Sequence, residues 1–398
     1  MADLLSMAEA QGLILKHTRP LPAEPVRLEA AAGRVLTEAA RAAVDLPPFP
    51  SSAMDGYAVR AADTPGRLAV VARIAAGRPA AAPLESGQAM GIATGGAVPQ
   101  GADAVIPIEY VVEHDNEVEI DSPAEAGSNV RPRGGDVRAG EIVTEAGSAL
   151  TPARLGALAA AGLPEARCAQ RPRAAVLPTG TELRRPGETL AAGEIYEANG
   201  LILAAQLAAA GAAVELMPAV GDEEAAHRAA LERALEADVV VTSGGVSVGP
   251  HDLVRRVEAE LGVEEVFWRV AVKPGKPIAF GVRGETLVFG LPGNPVSALV
   301  GFELFVRPAI RALQGVPEPL PRFERGRLTG GARRRNQERD ELVRARLLSS
   351  PDGAVLEPLS GQDSHMIARA ASADALVLIS RGEGEVADGS LVDYLRLD

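Results

Sequence analysis

Apolar positions in the first stretch of the chain, MADLLSMAEAQGLILKHTRP, recur at helical spacing. They predict an amphipathic helix within residues 1–20, ended by Pro20. Residues 25–42 are rich in helix formers and predict a further short element. LPPFPSSAMDGYAV (46–59) then breaks the pattern with three prolines. From about 60 to 143 short alternating runs such as RLAVVARI, DAVIPIEYVV and EVEI are divided by Gly and Pro turns, the texture of a small β-rich domain. TPARLGALAAAG (151–162) reads as a helix with Thr151 as N-cap and Pro152 at its first position.

From residue 173 the pattern becomes one of strand and helix in alternation. RAAVLP (173–178) reads as a buried strand and NGLILAAQLAAAG (199–211) as a helix ended by glycine. AAVELMPAV is the next strand, a helix follows with Asp222 at its start, and ADVVVTSGG (237–245) is a strand running into glycines. ETLVFGLPGNPVSALVGFELFVRPAIRAL (285–313) reads as strand, loop and one long helix. Such alternation, with apolar runs of four or five residues, predicts a mostly parallel sheet covered by helices, an α/β fold. After Pro317 short strands return, in ELVRARLL, ALVLIS and GSLVDYLRL, and predict a small C-terminal β-barrel or sandwich.

Composition narrows the function. A chain of 398 residues suggests two to four domains at roughly 150 residues each. Aromatic residues make up only 3%, so the cores must be built from Ala, Leu and Val. A net charge of −13 argues against a nucleic-acid partner but leaves room for a small anion in a local basic pocket. The single cysteine, Cys168, permits no internal disulfide and fits a reducing compartment. Acidic residues stand where a signal peptide is basic, and no apolar run approaches membrane-spanning length, so a cytoplasmic protein is expected. The five histidines are scattered, without the spacing of a zinc site.

In open α/β sheets, ligands bind beyond the carboxyl ends of the strands. Three loops there are candidates: LPTGTEL (177–183), the glycine-rich VTSGGVSVGPHD (241–252) and LPGNPVSA (291–298). Backbone N–H groups around Ser243, Gly244, Gly245 and Ser247 could wrap an oxyanion, and the backbone of Pro292, Gly293, Asn294, Pro295 and Ser297 at the start of the last helix could do so through its non-proline residues. No Walker loop is present. Of 40 basic residues only three are lysine, and two of these, Lys273 and Lys276, sit in KPGKP near the only tryptophan, Trp268. A lysine ammonium is a compact charge that fits a crowded anion pocket, and the proline after each lysine restricts its backbone.

Carboxylates near these loops could hold Mg²⁺ beside a phosphate: Glu182, Asp222 and Asp252. Asp222 equally suits an ordinary N-cap, while Asp55 in AMDGYA and Asp136 in RPRGGD equally suit turns. The residues by themselves thus point to a phosphorylated anionic ligand, two lysines and a divalent cation, without fixing the reaction.

Taken together, PPFPSSAMDGYAV, IATGGAVPQGADAVIPIE, RPRGGDV, LPTGTEL, VTSGGVSVGPHD, FWRVAVKPGKPIAFG, LPGNPVSA and GQDSH resemble the MoeA family of molybdopterin molybdenumtransferases, related to the gephyrin E domain. These motifs run from 47 to 365 and so span nearly the whole chain. The resemblance implies an enzyme of molybdenum cofactor biosynthesis, using adenylylated molybdopterin and molybdate with a divalent cation and releasing AMP. It also implies a homodimer with the active site at the subunit interface, and dealings with other proteins of the same biosynthesis. Carried over residue by residue, functional roles fall on Asp55, Thr94, Asp136, Glu182, Asp222, Asp252, Lys273, Lys276, Arg344 and Ser364. Arg269 stands where lysine is common in the family, and RGGD stands for a commoner RGED-like loop. The implied domains are a molybdopterin-binding-like α/β domain (1–20 with 168–317), a linking mixed domain (21–45 with 144–167), a small β-rich domain (46–143) and a β-barrel (318–398). Two other readings compete: a nucleotide-pyrophosphate hydrolase sharing the α/β domain but lacking the SAMDGYAV domain, and a non-catalytic scaffold.

Overall fold

The computed structural model describes residues 4–245, 253–334 and 336–397. The chain divides into two compact units, Pro25–Cys168 and a second formed by Met1–Glu24 with Ala169–Asp398.

In the Pro25–Cys168 unit a six-stranded sheet runs in the order Ala104–Pro107, Gly56–Val59, Gln88–Ile92, Gly66–Ile74, Glu117–Ile120, Val112–His114. Both faces of the Gly56–Val59 strand are covered: Tyr57 and Val59 pack with Leu68 and Val118, and Ala58 packs with Ile74 and Met90. A Cβ at Gly56 would lie 1.9 Å from the Ile106 carbonyl oxygen. Only glycine admits that approach, and it fixes the backbone immediately after Asp55. Thr151 caps the helix Pro152–Ala160 as its sequence predicts, with Pro152 in the first turn.

Residues 25–42 form no α-helix. They give the end of the strand Ala23–Arg27, one 3₁₀ turn at Leu28–Ala30 and the short strand Ala40–Arg41. Gly33 at φ 72° interrupts the run, and Ala31, Leu36 and Ala40 pack with Leu150, Leu158 and Cys168. Tertiary packing overrides helix propensity here.

In the second unit the helix α1 (Met7–His17) opens with a capping box between Ser6 and Glu9. The chain then alternates through β1 (Arg173–Pro178), α2 (Asn199–Ala209), β2 (Ala213–Leu216), α3 (Glu224–Ala234), β3 (Val239–Ser243), α4 (Leu253–Glu260), β4 (Glu264–Trp268), β5 (Ala279–Arg283), β6 (Thr286–Leu291), α5 (Pro295–Gly301) and α6 (Arg307–Leu313). Sheet order is β2-β1-β3-β6-β5-β4. The first four strands are parallel, and β5 alone is reversed, pairing antiparallel with both β6 and β4. One core cluster joins α1, α2, α5 and α6 to the sheet, and another joins residues of α3 and α4, so helices cover both faces. The single long helix expected over the last segment is divided by a π-helical stretch, Phe302–Val306, between α5 and α6. Pro308 has no N–H to return to the preceding turn, which accounts for a break there.

The chain ends in β7 (Glu324–Leu328), β8 (Asp340–Ser350), β9 (Gly353–Pro358), β10 (Ala375–Ile379) and β11 (Leu391–Arg396). Their order is β8-β9-β7-β11-β10, and β10 pairs back onto β8, closing a five-stranded barrel around Leu328, Ala345, Leu356 and Val377. Closure leaves no free edge among these strands. Val272 and Lys273 extend the sheet by pairing in parallel with Asp340 and Glu341 of β8. No described helix is long and apolar enough to cross a membrane.

Candidate functional site

Three parallel strands end level with one another. Pro178 of β1 pairs with Ser243 of β3, and Ser243 pairs with Leu291 of β6. The loops beyond them line a cavity of about 510 Å³, within the range of small-molecule sites. Glu182 comes from the loop after β1, and Asp222 from the segment after β2. That segment is held by the hydrogen bond from Gly180 N–H to the Val220 carbonyl, 2.9 Å. Ser243, Gly244 and Gly245 follow β3, and Pro292, Gly293 and Asn294 follow β6. Gly244 has φ 99°, and a Cβ there would lie 2.5 Å from the Thr179 carbonyl oxygen, so the turn is closed to other residues.

Asn199 joins two of these loops. Its Nδ2 donates to Ser243 Oγ at 2.7 Å and to the Gly293 carbonyl at 2.8 Å. It is the first residue of α2 and is buried, so the two bonds are made away from competing water. Glu197 also faces the cavity, and its Oε1 accepts from Gly200 N–H at 2.7 Å.

Asp222 does not cap α3. The helix begins at Glu224 with Glu223 at the N-cap and no side-chain cap bond. Capping needs the residue at the boundary itself, so Asp222, one position earlier, is left to the cavity. On the buried stripe of α3, His227 takes the place ahead of Leu231 and Ala234 and lines the same cavity. Its Nδ1 is enclosed and has no hydrogen-bond partner among the described residues. Burial pushes the His227 pKa below the usual imidazole value, and the charge of Asp222 opposes that shift. Among the described residues no three His, Cys, Asp or Glu side chains gather as a metal cluster. Asp252 and Ser247 lie outside the described residues.

The two lysines have different surroundings. Lys273 Nζ stands 3.1 Å from Oε1 of Glu341, a mostly buried residue of the barrel strand β8. Lys276 is half-buried and makes no ion pair among the described residues, and its neighbour Pro277 lines the cavity. Arg269 is held away from the cavity lining, with φ 81° and its guanidinium 3.7 Å from the centre of the Trp268 ring. Arg255 approaches the same ring at 4.3 Å. Such stacking suits the flat, delocalised charge of arginine.

Arg344 is 2% exposed, on the face of β8 opposite the barrel-core residues Val343 and Ala345, and spends its donors on the loop 361–366. It reaches the carbonyls of Gly361, Asp363 and Met366 and the side chain of Gln362. These bonds shape the loop that carries Ser364. Ser364 Oγ in turn accepts from Asn294 Nδ2 at 2.9 Å, and its carbonyl accepts from Val296 N–H at 3.1 Å. Pro295 opens α5, and Ser297 is buried in its first turn.

In the Pro25–Cys168 unit Asp55 and Thr94 meet. Asp55 Oδ1 accepts from Thr94 N–H at 2.6 Å and from Thr94 Oγ1 at 2.8 Å. The backbone bond first and the hydroxyl second hold this exposed carboxyl below its ordinary pKa. Asp136 is exposed, with its N–H bonded to the Leu46 carbonyl at 2.9 Å. Its loop runs beside the segment leading to Asp55, since Val130 pairs with Ser52.

Asn199, Glu197, His227 and Glu341 were not singled out by the sequence. For His227 a signal existed, a lone polar residue on the apolar face of EAAHRAALERA. The others depend on contacts far apart in the chain.

The chain matches the MoeA N-terminal region (domain I and II) over residues 5–162, a probable molybdopterin binding domain over 175–312, and the MoeA C-terminal region (domain IV) over 326–397. It is 39% identical over 400 residues to molybdopterin molybdenumtransferase 2 of Mycobacterium tuberculosis, covering 97% of this chain and 98% of that one. It is 38% identical over 317 residues to the molybdopterin molybdenumtransferase of Haemophilus influenzae, covering 78% of each. A crystal structure of the molybdopterin biosynthesis protein moeA from Pyrococcus horikoshii superposes with TM-score 0.85 at 27% identity, over 99% of this chain and all of that one. By full-length similarity and by shared fold, the chain belongs to the MoeA family of molybdopterin molybdenumtransferases.

Proposed function

We propose that this chain is a transferase of molybdenum cofactor biosynthesis, taking adenylylated molybdopterin and molybdate, releasing AMP and leaving molybdenum on the dithiolene. The observation that carries the proposal is the cavity where Glu182, Asp222 and the glycine turn after β3 converge, in a chain similar over its full length to named molybdopterin molybdenumtransferases. A phosphoanhydride is opened when water adds across it, giving AMP and the phosphate of molybdopterin. The backbone N–H groups of Gly245, Gly293 and Asn294, together with the Lys276 ammonium, would meet the negative charge that develops there. Asn199 would keep the two turns in register, and Ser364 would steady Asn294.

Mg²⁺ is the cation this reading implies. It is commonly held by one or two carboxylates, with water and substrate phosphate in its other positions. Glu182 and Asp222 supply hard oxygen donors on one cavity, so the residues present fit it. Bound there, it would neutralise charge on the phosphate oxygens. Asp252 belongs to the same proposed set.

The proposal extends to a cytoplasmic homodimer in which Asp55, Thr94 and Asp136 of one subunit complete the cavity of the other. The exposure of Asp55 and its fixed, ionised state support that role. It extends also to contacts with other proteins of the pathway and to a subunit of four domains with the boundaries expected from the sequence. The hydrolase reading is disfavoured because the match over 5–162 includes the SAMDGYAV segment. The scaffold reading is disfavoured by the carboxylates retained in the cavity.

The test is AMP release from adenylylated molybdopterin with molybdate and Mg²⁺. Glu182→Gln and Asp222→Asn should each lose it while keeping the wild-type melting temperature. Full activity in both variants would remove the site.

A further inference from the structure

A second cleft, sharing no lining residue with the first cavity, lies where α6 meets the C-terminal strand β11. Four arginines line it, Arg307, Arg311, Arg322 and Arg396, against two glutamates, Glu303 and Glu324. In a chain whose net charge is −13, that excess of positive charge is local and concentrated.

Both glutamates are already engaged. The Glu303 oxygens accept from Arg307 at 2.6 and 2.8 Å, and one also accepts from Gln206 at 2.7 Å. Glu324 accepts from Tyr394 at 2.6 Å and from Arg396 at 3.1 Å. Arg311 donates to the backbone carbonyl of Glu318 at 3.0 Å and feels the Glu318 carboxylate at longer range. Arg322 lies within electrostatic reach of Glu324. Among the described residues neither guanidinium makes a direct ion pair, so both face the cleft with donors to spare.

The geometry points to an anion-binding site in this cleft, for a phosphate-sized oxyanion that is free or borne at the end of a small molecule. At about 270 Å³ the cleft falls short of the usual range for drug-sized ligands but holds a tetrahedral oxyanion with room beside it. Guanidinium donors match such oxygens in pairs. Burial first and the neighbouring Arg307 second push the Arg311 pKa below its usual value while Glu318 opposes them, and a bound anion would favour the charged form.

Calorimetric titration of the full chain at low ionic strength tests this, with inorganic phosphate in one arm and glycerol phosphate in the other. Tighter binding in the second arm assigns the oxyanion to a carrier molecule, and equal binding assigns it to the free ion. Arg311→Ala and Arg322→Ala should each weaken binding roughly tenfold, the scale of one lost charge-assisted hydrogen bond. Arg322→Glu should abolish it, while Arg346→Ala, on the exposed side of the barrel, should leave it unchanged. The double variant Lys273→Ala/Lys276→Ala should keep the binding component that the arginine variants lose, which separates this cleft from the proposed active site. Melting temperatures confirm that each variant is folded. No phosphate binding in the wild type, loss only in the lysine variant, or equal weakening by Arg346→Ala would overturn the proposal.

Discussion

Lys273 Nζ lies 3.1 Å from Glu341 Oε1, so the first lysine of KPGKP is tied to the barrel strand that Val272 and Lys273 themselves extend. Glu341 is mostly buried, and removing its partner leaves a carboxylate with little water around it. Lys273→Met should cost about 1–2 kcal/mol of stability as well as activity. Lys276 has no such partner among the described residues, so Lys276→Met should leave stability within about 0.5 kcal/mol. Its AMP release should still fall roughly a hundredfold, as for other lost stabilisers of developing charge. Thermal melting and AMP assays on the same preparations check the split.

Arginine in place of either lysine should be tolerated poorly, because a planar guanidinium does not fit where a compact ammonium sat. Arg269→Lys should cost less activity than Lys273→Arg or Lys276→Arg, since Arg269 lies on Trp268 rather than on the cavity. Its expected stability cost is only about 0.5–1 kcal/mol, since lysine keeps the charge over the half-buried Trp268 ring. Equal tolerance at all three positions would return the lysines to surface charges.

Asn199→Ala removes both bonds between the turns after β3 and β6 and strands Ser243 and Gly293 without that donor. A loss of about 1–3 kcal/mol in stability is expected, with a larger fractional loss in kcat/KM than Ser243→Ala gives. Urea melts and steady-state AMP release measure the two effects.

Asp55→Ala should abolish cofactor formation and leave the oligomeric state as in the wild type, read by activity and by size-exclusion chromatography. The pH behaviour of Asp55 follows from Thr94. Because its folded pKa is depressed below the ordinary 3.8, its contribution to stability is present above that value and fades as pH falls through the folded pKa. Thr94→Val removes the hydroxyl but keeps the larger backbone bond, so the pKa should rise only part of the way, as a carboxyl carbon NMR titration would record.

Much of the α/β unit was legible because its signals are local. RAAVLP gives the strand Arg173–Pro178, and NGLILAAQLAAAG gives the helix Asn199–Ala209. Glu182, Asp222 and the glycine turn could be assigned to strand ends, and the register of β1, β3 and β6 brings them to one cavity. What the sequence could not supply depends on distant contacts. Propensity misleads at 25–42, where packing against Leu150 and Leu158 decides the shape. Pairing of the lysines by spacing hides that Lys273 meets a residue 68 positions later. The burial of Arg344 and the bridging by Asn199 likewise arise only once the loops are folded together.

The central claim is that this chain moves molybdenum onto molybdopterin at the cost of an adenylate. Wild-type protein mixed with adenylylated molybdopterin, molybdate and Mg²⁺ should yield AMP together with a cofactor that restores activity to a molybdenum-dependent apoenzyme. Asp222→Asn should yield neither. AMP formed by the wild type without any restoring activity, or both products formed in full by Asp222→Asn, would contradict the account.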